Sequence, residues 1–177
     1  RNLDAEYVAD IIDAAHKQTG KKVMLMAQSF SAIPALSGAT LWQQRKVHHG
    51  KLSGALLFSP DLSTALPSLG RDPEYLPIAR ATNIPIMIYQ GSLHGPVRQF
   101  SRLQKELARH NPHVFFKLLP GVTSVFYSDE HSAETLALLK ILPARMHELA
   151  KLFESLPVQA SKTEYVPPRQ ASSIRPD

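Results

Sequence analysis

Ser29 is the residue whose surroundings point most directly to chemistry. It follows a short apolar run, Val23 to Ala27, and precedes a helical stretch from about Ser31 to Gln44. A serine hydroxyl is a weak nucleophile until a base takes its proton. In acyl-transfer sites that base is an imidazole, oriented by a carboxylate. His131 and His94 carry an imidazole, and Asp61 a carboxylate, of the kinds such a site needs. His131 precedes Ser132-Ala133-Glu134, so it reads equally as the entry of a helix with an acid in its first turn. Asp61 follows Pro60 and reads either as a triad acid or as a loop or cap residue. His94 reads more readily as a loop residue than as a base. The amide of Phe30, directly after the serine, would supply an oxyanion donor.

Other chemistries find little support. The 177 residues contain no cysteine, which removes a disulfide framework, a cysteine nucleophile and a thiolate metal site from this segment. His48 and His49 are adjacent, so their side chains diverge and would need metal ligands from elsewhere. No phosphate-binding glycine loop, calcium loop or zinc-protease helix motif occurs. Met24 and Met26 alternate along a strand and read as core filler. No metal and no cofactor are expected.

Lys and Arg number 20 against 15 Asp and Glu, a formal charge of +5. One basic grouping is Arg45, Lys46 and Lys51 around His48–His49. The other, Arg98, Arg102, Lys105 and Arg109, recurs at helical spacing opposite Phe100, Leu103 and Leu107. It reads as the wet face of an amphipathic helix. Aromatics do not interleave with it, so no nucleic-acid partner is expected. No apolar run approaches the ~18–20 residues that span a bilayer.

The elements that must position Ser29 alternate. Residues 4–18 are helical by period, with Ala5, Val8, Ile11, Ile12 and Ala15 on one face and Gly20 as the stop. Val23–Ala27 is apolar throughout, as a strand buried on both faces would be. Strands are predicted at Leu52–Ser59, Ile84–Tyr89 and Val114–Leu119, and helices near Glu74–Arg80, at Gln99–Arg109 and from Ser132 to Leu156. Pro143 is expected to kink or restart the last helix. Strands alternating with helices imply a parallel sheet with helices on both faces. Residues 1–156 read as this one domain. From residue 157 the chain turns polar and Pro-rich (VPPRQASSIRPD), as a tail or linker to a further C-terminal domain would.

The segment Ala27-Gln28-Ser29-Phe30-Ser31, between a buried strand and a helix, resembles the nucleophile elbow of the α/β-hydrolase family. That elbow is usually written G-x-S-x-G; here Ala27 and Ser31 stand where the glycines usually do. The succession from about residue 4 to residue 155 is similar to that family's C-terminal half. LSGALLFSPD resembles the strand after the elbow helix, NIPIMIYQGSLHG the strand before the acid, and HVFFKLLPGVTSVFY the strand before the histidine.

The resemblance implies ester, thioester or amide hydrolysis, and it also marks two departures. Where the family's acid stands, three residues after Gly91, this chain has His94. Where the histidine follows Pro-Gly-x-x, this chain has Ser124 after Pro120-Gly121-Val122-Thr123. Two functions are therefore expected. The first is a hydrolase-fold domain with a degenerate triad, serving as a binding or accessory module. The alternative is an active serine esterase or acyl hydrolase using Ser29, Asp61 and His131 on a small acyl or ester ligand. The family's elbow strand also pairs with an earlier strand, whose loop carries the second oxyanion donor. The chain starts at Arg1, so roughly another hundred N-terminal residues, or another chain, are expected against the Val23–Ala27 edge.

Overall fold

A computed structural model describes residues 4–48, 50–65, 69–94, 97–123 and 131–157. His49, the segment from Ser124 to Tyr127, the tail from residue 158 and the side chain of Arg98 lie outside the described residues. The elements are α1 (Ala5–Thr19), β1 (Val23–Gln28), a 3-10 turn (Ser29–Ser31), α2 (Ala32–Gln44), β2 (Leu52–Phe58), α3 (Ile78–Ala81), β3 (Ile86–Gly91), α4 (Val97–Ala108), β4 (Val114–Leu119) and α5 (Ala133–Ser155). The strands lie in the order β1-β2-β3-β4, and each neighbouring pair is parallel. A parallel sheet puts every strand's C-terminal end on one side, so the loops leaving β1, β2, β3 and β4 share one rim.

The period-2 alternation of the strands divides their side chains between two cores. Ala55, Leu57, Ile86 and Ile88 pack with Ala32, Leu36 and Ala39 of α2 and with Leu103 and Leu107 of α4. Leu56, Phe58 and Tyr89 pack on the other face with Leu138, Leu142, Leu149 and Phe153 of α5. Helices cover both faces, as the alternation of elements predicts. α1 lies against α2 through Val8, Ala9, Ile12 and Trp42. Gly38 makes that approach feasible: a Cβ there would stand 2.4 Å from the Val8 Cβ. Arg45, at the end of α2, ties the pair together through Glu6, Asp10 and Asp13 of α1. The first basic grouping is thus largely neutralised at its leading residue.

Several expectations change. β1 is not buried on both faces: Val23, Met24 and Leu25 are half-buried and Met26 is 43% exposed, because β1 is an edge of the described sheet. Met26 is therefore not core filler, whereas Met24 packs against the α5 core. Ile11 is exposed, since α1 meets α2 along a narrow stripe. The short helix near Glu74–Arg80 begins only at Ile78; Tyr75 is instead bridged to Ser63, and Pro77 biases the residue before it toward extended backbone. β3 starts at Ile86, after Pro85. α5 runs through Pro143 without restarting, held by Leu138 and Leu142 before it and Leu149 and Phe153 after it. Among the described residues no helix is long and apolar enough to cross a membrane.

Candidate active site

Ser29 stands where β1 ends, and its φ is 51°, in the left-handed region. A side chain there clashes with the following carbonyl, at a cost of roughly 1–2 kcal/mol. The surroundings enforce that geometry. Ser31 Oγ accepts from the Gln28 amide at 2.9 Å and donates to the Gln28 carbonyl at 2.6 Å, closing the turn beneath Ser29. Asp61 N–H donates to the Ser29 carbonyl at 3.2 Å, so the loop leaving β2 grips the turn after β1. Phe30 is exposed, and its amide lies in the first turn of the helical segment, where N–H groups lack partners from a preceding turn.

Ser59, at the end of β2, has φ 41°. Among the described residues Ser29 and Ser59 are the non-glycine positions with positive φ, and both line one cavity of about 100 Å³. Backbone strain of this kind gathers at functional sites because the surroundings must over-determine it. Asp61, Leu62, Tyr75, His94, Phe100 and Leu103 also line the cavity. Of these, Phe100 and Leu103 are apolar side chains from α4 that form part of the wall.

The structure brings Ser29, Asp61 and His94 to this cavity. His131 does not line it; it directly precedes Ser132, the N-cap of α5, and its Nδ1 is buried with no partner among the described residues. Asp61 Oδ1 accepts from the Ser63 amide at 3.0 Å and the Ser63 hydroxyl at 2.6 Å. The Ser29 hydroxyl makes no hydrogen bond to a described residue. Tyr75 donates to the Gln99 carbonyl at 3.4 Å, and burial raises its phenol above the usual value.

No protein-family model matches the sequence, and a search of curated proteins finds no match. Solved structures do match. An esterase of Pyrococcus furiosus shares 12% identity over 86% of this chain and 64% of its own, with a TM-score of 0.57. Esterase 2 of Thermogutta terrifontis with propionate bound shares 16% identity over 89% of this chain and 70% of its own, with a TM-score of 0.52. A structure from the thaumarchaeon Nitrososphaera gargenis, described with its carboxylesterases, shares 12% identity over 86% of this chain and 74% of its own, at 0.50. The chain has the α/β-hydrolase fold. It spans less than two thirds of the Pyrococcus esterase's length.

Within the α/β-hydrolase fold the strands ending at Gln28, Phe58, Gly91 and Leu119 follow one another across the sheet as the resemblance implies. The loop leaving β3 is locked to the end of β4. Ser92 N–H donates to the Leu119 carbonyl, Leu93 N–H to the Val122 carbonyl, and Gly121 N–H to Ser92 Oγ. Gly91 permits this closeness, because a Cβ there would lie 2.4 Å from the Val122 carbonyl oxygen. Sequence reasoning passed over Ser59, Tyr75 and Gln90. Only the strand-end position of Ser59 could have hinted at its place on the cavity; Tyr75 acts through Gln99, distant along the chain, and Gln90 through local bonds to the Gly91 and His94 carbonyls that its burial isolates.

Proposed function

We propose that the chain carries an acyl-processing site in which Ser29 acts as nucleophile toward a short-chain ester. The observation that carries this reading is the strained Ser29 backbone, held by Ser31 and Asp61, with the side chain on a shared cavity. A cavity of about 100 Å³ favours a short acyl group over a long chain. The propionate bound to the Thermogutta terrifontis esterase is a ligand of that kind.

A second reading, a binding or accessory module with a degenerate triad, draws support from the bonding. The Ser29 hydroxyl is not bonded to a described imidazole, and Asp61 Oδ1 is engaged by Ser63. Loss of the base costs serine enzymes ~10⁴–10⁶ in turnover. For either reading, another strand or chain is proposed against the free edge of β1, where Met26 is exposed. It would also supply the second oxyanion donor.

Hydrolysis of p-nitrophenyl propionate by the intact protein, beside Ser29→Ala, separates the two. Turnover that disappears in Ser29→Ala supports the nucleophile. Absent turnover with calorimetric binding of propionate supports the module. Turnover equal in both proteins would refute the Ser29 site.

A further inference from the structure

We propose that His94 is the base that takes the Ser29 proton, and that Asp61 stabilises the resulting imidazolium. This rests on the reading of Ser29 as a nucleophile. It departs from the expected arrangement, in which the residue three after Gly91 is the acid and a histidine beyond β4 is the base.

Three observations converge. His94 lines the cavity that holds Ser29 and Asp61, and His131 does not. His94 is also held more firmly than an ordinary loop residue. Its N–H donates to the Gly91 carbonyl at 3.2 Å. Gln90, fully buried, donates through Nε2 to the His94 carbonyl at 2.8 Å and the Gly91 carbonyl at 2.9 Å. Turning that amide over would set Oε1 against two carbonyls, so its orientation is fixed. With Ser92 and Leu93 bound to the end of β4, the backbone leading into His94 is anchored to the neighbouring strand as well as to Gln90. Preorganisation of this kind is what a base needs to stay within reach of its proton. Asp61, in turn, is fixed relative to Ser29 by its own amide and relative to Ser63 by Oδ1. With Oδ1 taken by Ser63, Oδ2 is the oxygen assigned to the imidazolium N–H.

The step balances without a cofactor. As Ser29 Oγ bonds to the ester carbonyl carbon, its proton passes to an unprotonated ring nitrogen of His94. The carbonyl electron pair moves to oxygen, toward the Phe30 amide. Collapse breaks the bond to the alkoxy oxygen, which leaves with the proton from His94. Water then attacks the acyl-serine, giving its proton to His94, and Ser29 recovers that proton as the carboxylic acid departs. Gln90 is a positioning residue: it touches no reacting atom and holds the backbone of the base.

The test is the acylation rate of the intact protein with p-nitrophenyl propionate, for wild type, His94→Ala, His94→Gln and His131→Ala, with folding checked by circular dichroism. Removing a general base costs about 10²–10⁴ in rate. We expect that loss in both His94 variants. Added imidazole should restore part of it in His94→Ala, where space is opened, and not in His94→Gln, where the side chain fills it; a purely structural role would not produce that split. Acylation that survives at His94→Ala but falls at His131→Ala overturns the assignment and leaves the Ser29 reading intact. Wild-type protein that shows no acylation overturns both. Should His94→Ala fail to fold, His94→Gln decides: full acylation in it refutes His94 as base.

Discussion

Replacing Ser29 by glycine should stabilise the protein while destroying its site. Ser29 sits at φ 51°, where a residue with a Cβ bears roughly 1–2 kcal/mol of steric cost. Glycine bears none of this, but ordering its more flexible backbone costs about 0.5–1 kcal/mol more than alanine. The difference leaves glycine ahead by roughly 0.5–1 kcal/mol. Both Ser29→Gly and Ser29→Ala remove the hydroxyl, so its loss cancels between them. Ser29→Ala keeps the Cβ and hence the strain, and is the proper reference. For a chain of this size, such a gain raises Tm by roughly 1–4 °C. Urea titrations of wild type, Ser29→Gly and Ser29→Ala should give equal slopes, with the glycine variant's midpoint highest. A glycine variant no more stable than the alanine variant would show that Ser29 is not held in the left-handed conformation, and the elbow would fail with it.

Further predictions concern the frame around the site. Gly38→Ala should destabilise by about 1–2 kcal/mol in urea, because a Cβ 2.4 Å from the Val8 Cβ and 2.9 Å from the Ala5 carbonyl forces α1 and α2 apart; overpacking at ~1–3 kcal/mol outweighs the ~1 kcal/mol gained in helix propensity. Gly91→Ala should lower ester turnover as well as stability, since its Cβ meets the Val122 carbonyl and displaces the loop carrying His94. Met26→Lys should cost within about 0.5 kcal/mol where the β1 edge is open, and markedly more where another strand or chain covers it, as denaturant midpoints would show. Burial raises the Tyr75 and Tyr89 phenols above the ordinary value of 10.0. The unfolded chain therefore releases these protons first, and their contribution to stability, complete below pH 10, should decline as pH climbs through the raised values. Absorbance at 295 nm should show two late-titrating tyrosines, one of them lost in Tyr75→Phe.

The fold was legible because its signals are local. Apolar runs at Leu52–Ser59 and Val114–Leu119 fall within a residue of the observed strands, and Phe100, Leu103 and Leu107 form the buried stripe of α4. Gly20, in the left-handed conformation at φ 67°, ends α1 as its type suggests. The solvated face of α4 is more structured than its charges implied. Arg102 pairs with Asp72, while Arg80 and Arg109 enclose the buried carboxylate of Glu106.

The site was legible only in part. Ser29 could be picked out because a sharp strand-to-helix turn is defined by neighbours in sequence. Asp61, His94 and His131 could be named only as candidates, because which of them shares a cavity with Ser29 depends on loops that meet only across the rim of the sheet. The buried Gln90 amide that holds the His94 backbone has no linear signature. The buried look of β1 reflects composition, whereas its exposure depends on what lies along its edge.

A catalytic role for this chain requires that Ser29 be a nucleophile. The most direct measurement is labelling of the intact, folded protein with a fluorophosphonate probe, followed by mass-spectrometric mapping of the modified peptide. The predicted result is one adduct per chain, on Ser29, absent in Ser29→Ala. A folded protein that stays unlabelled, or a label that persists in Ser29→Ala, would contradict it.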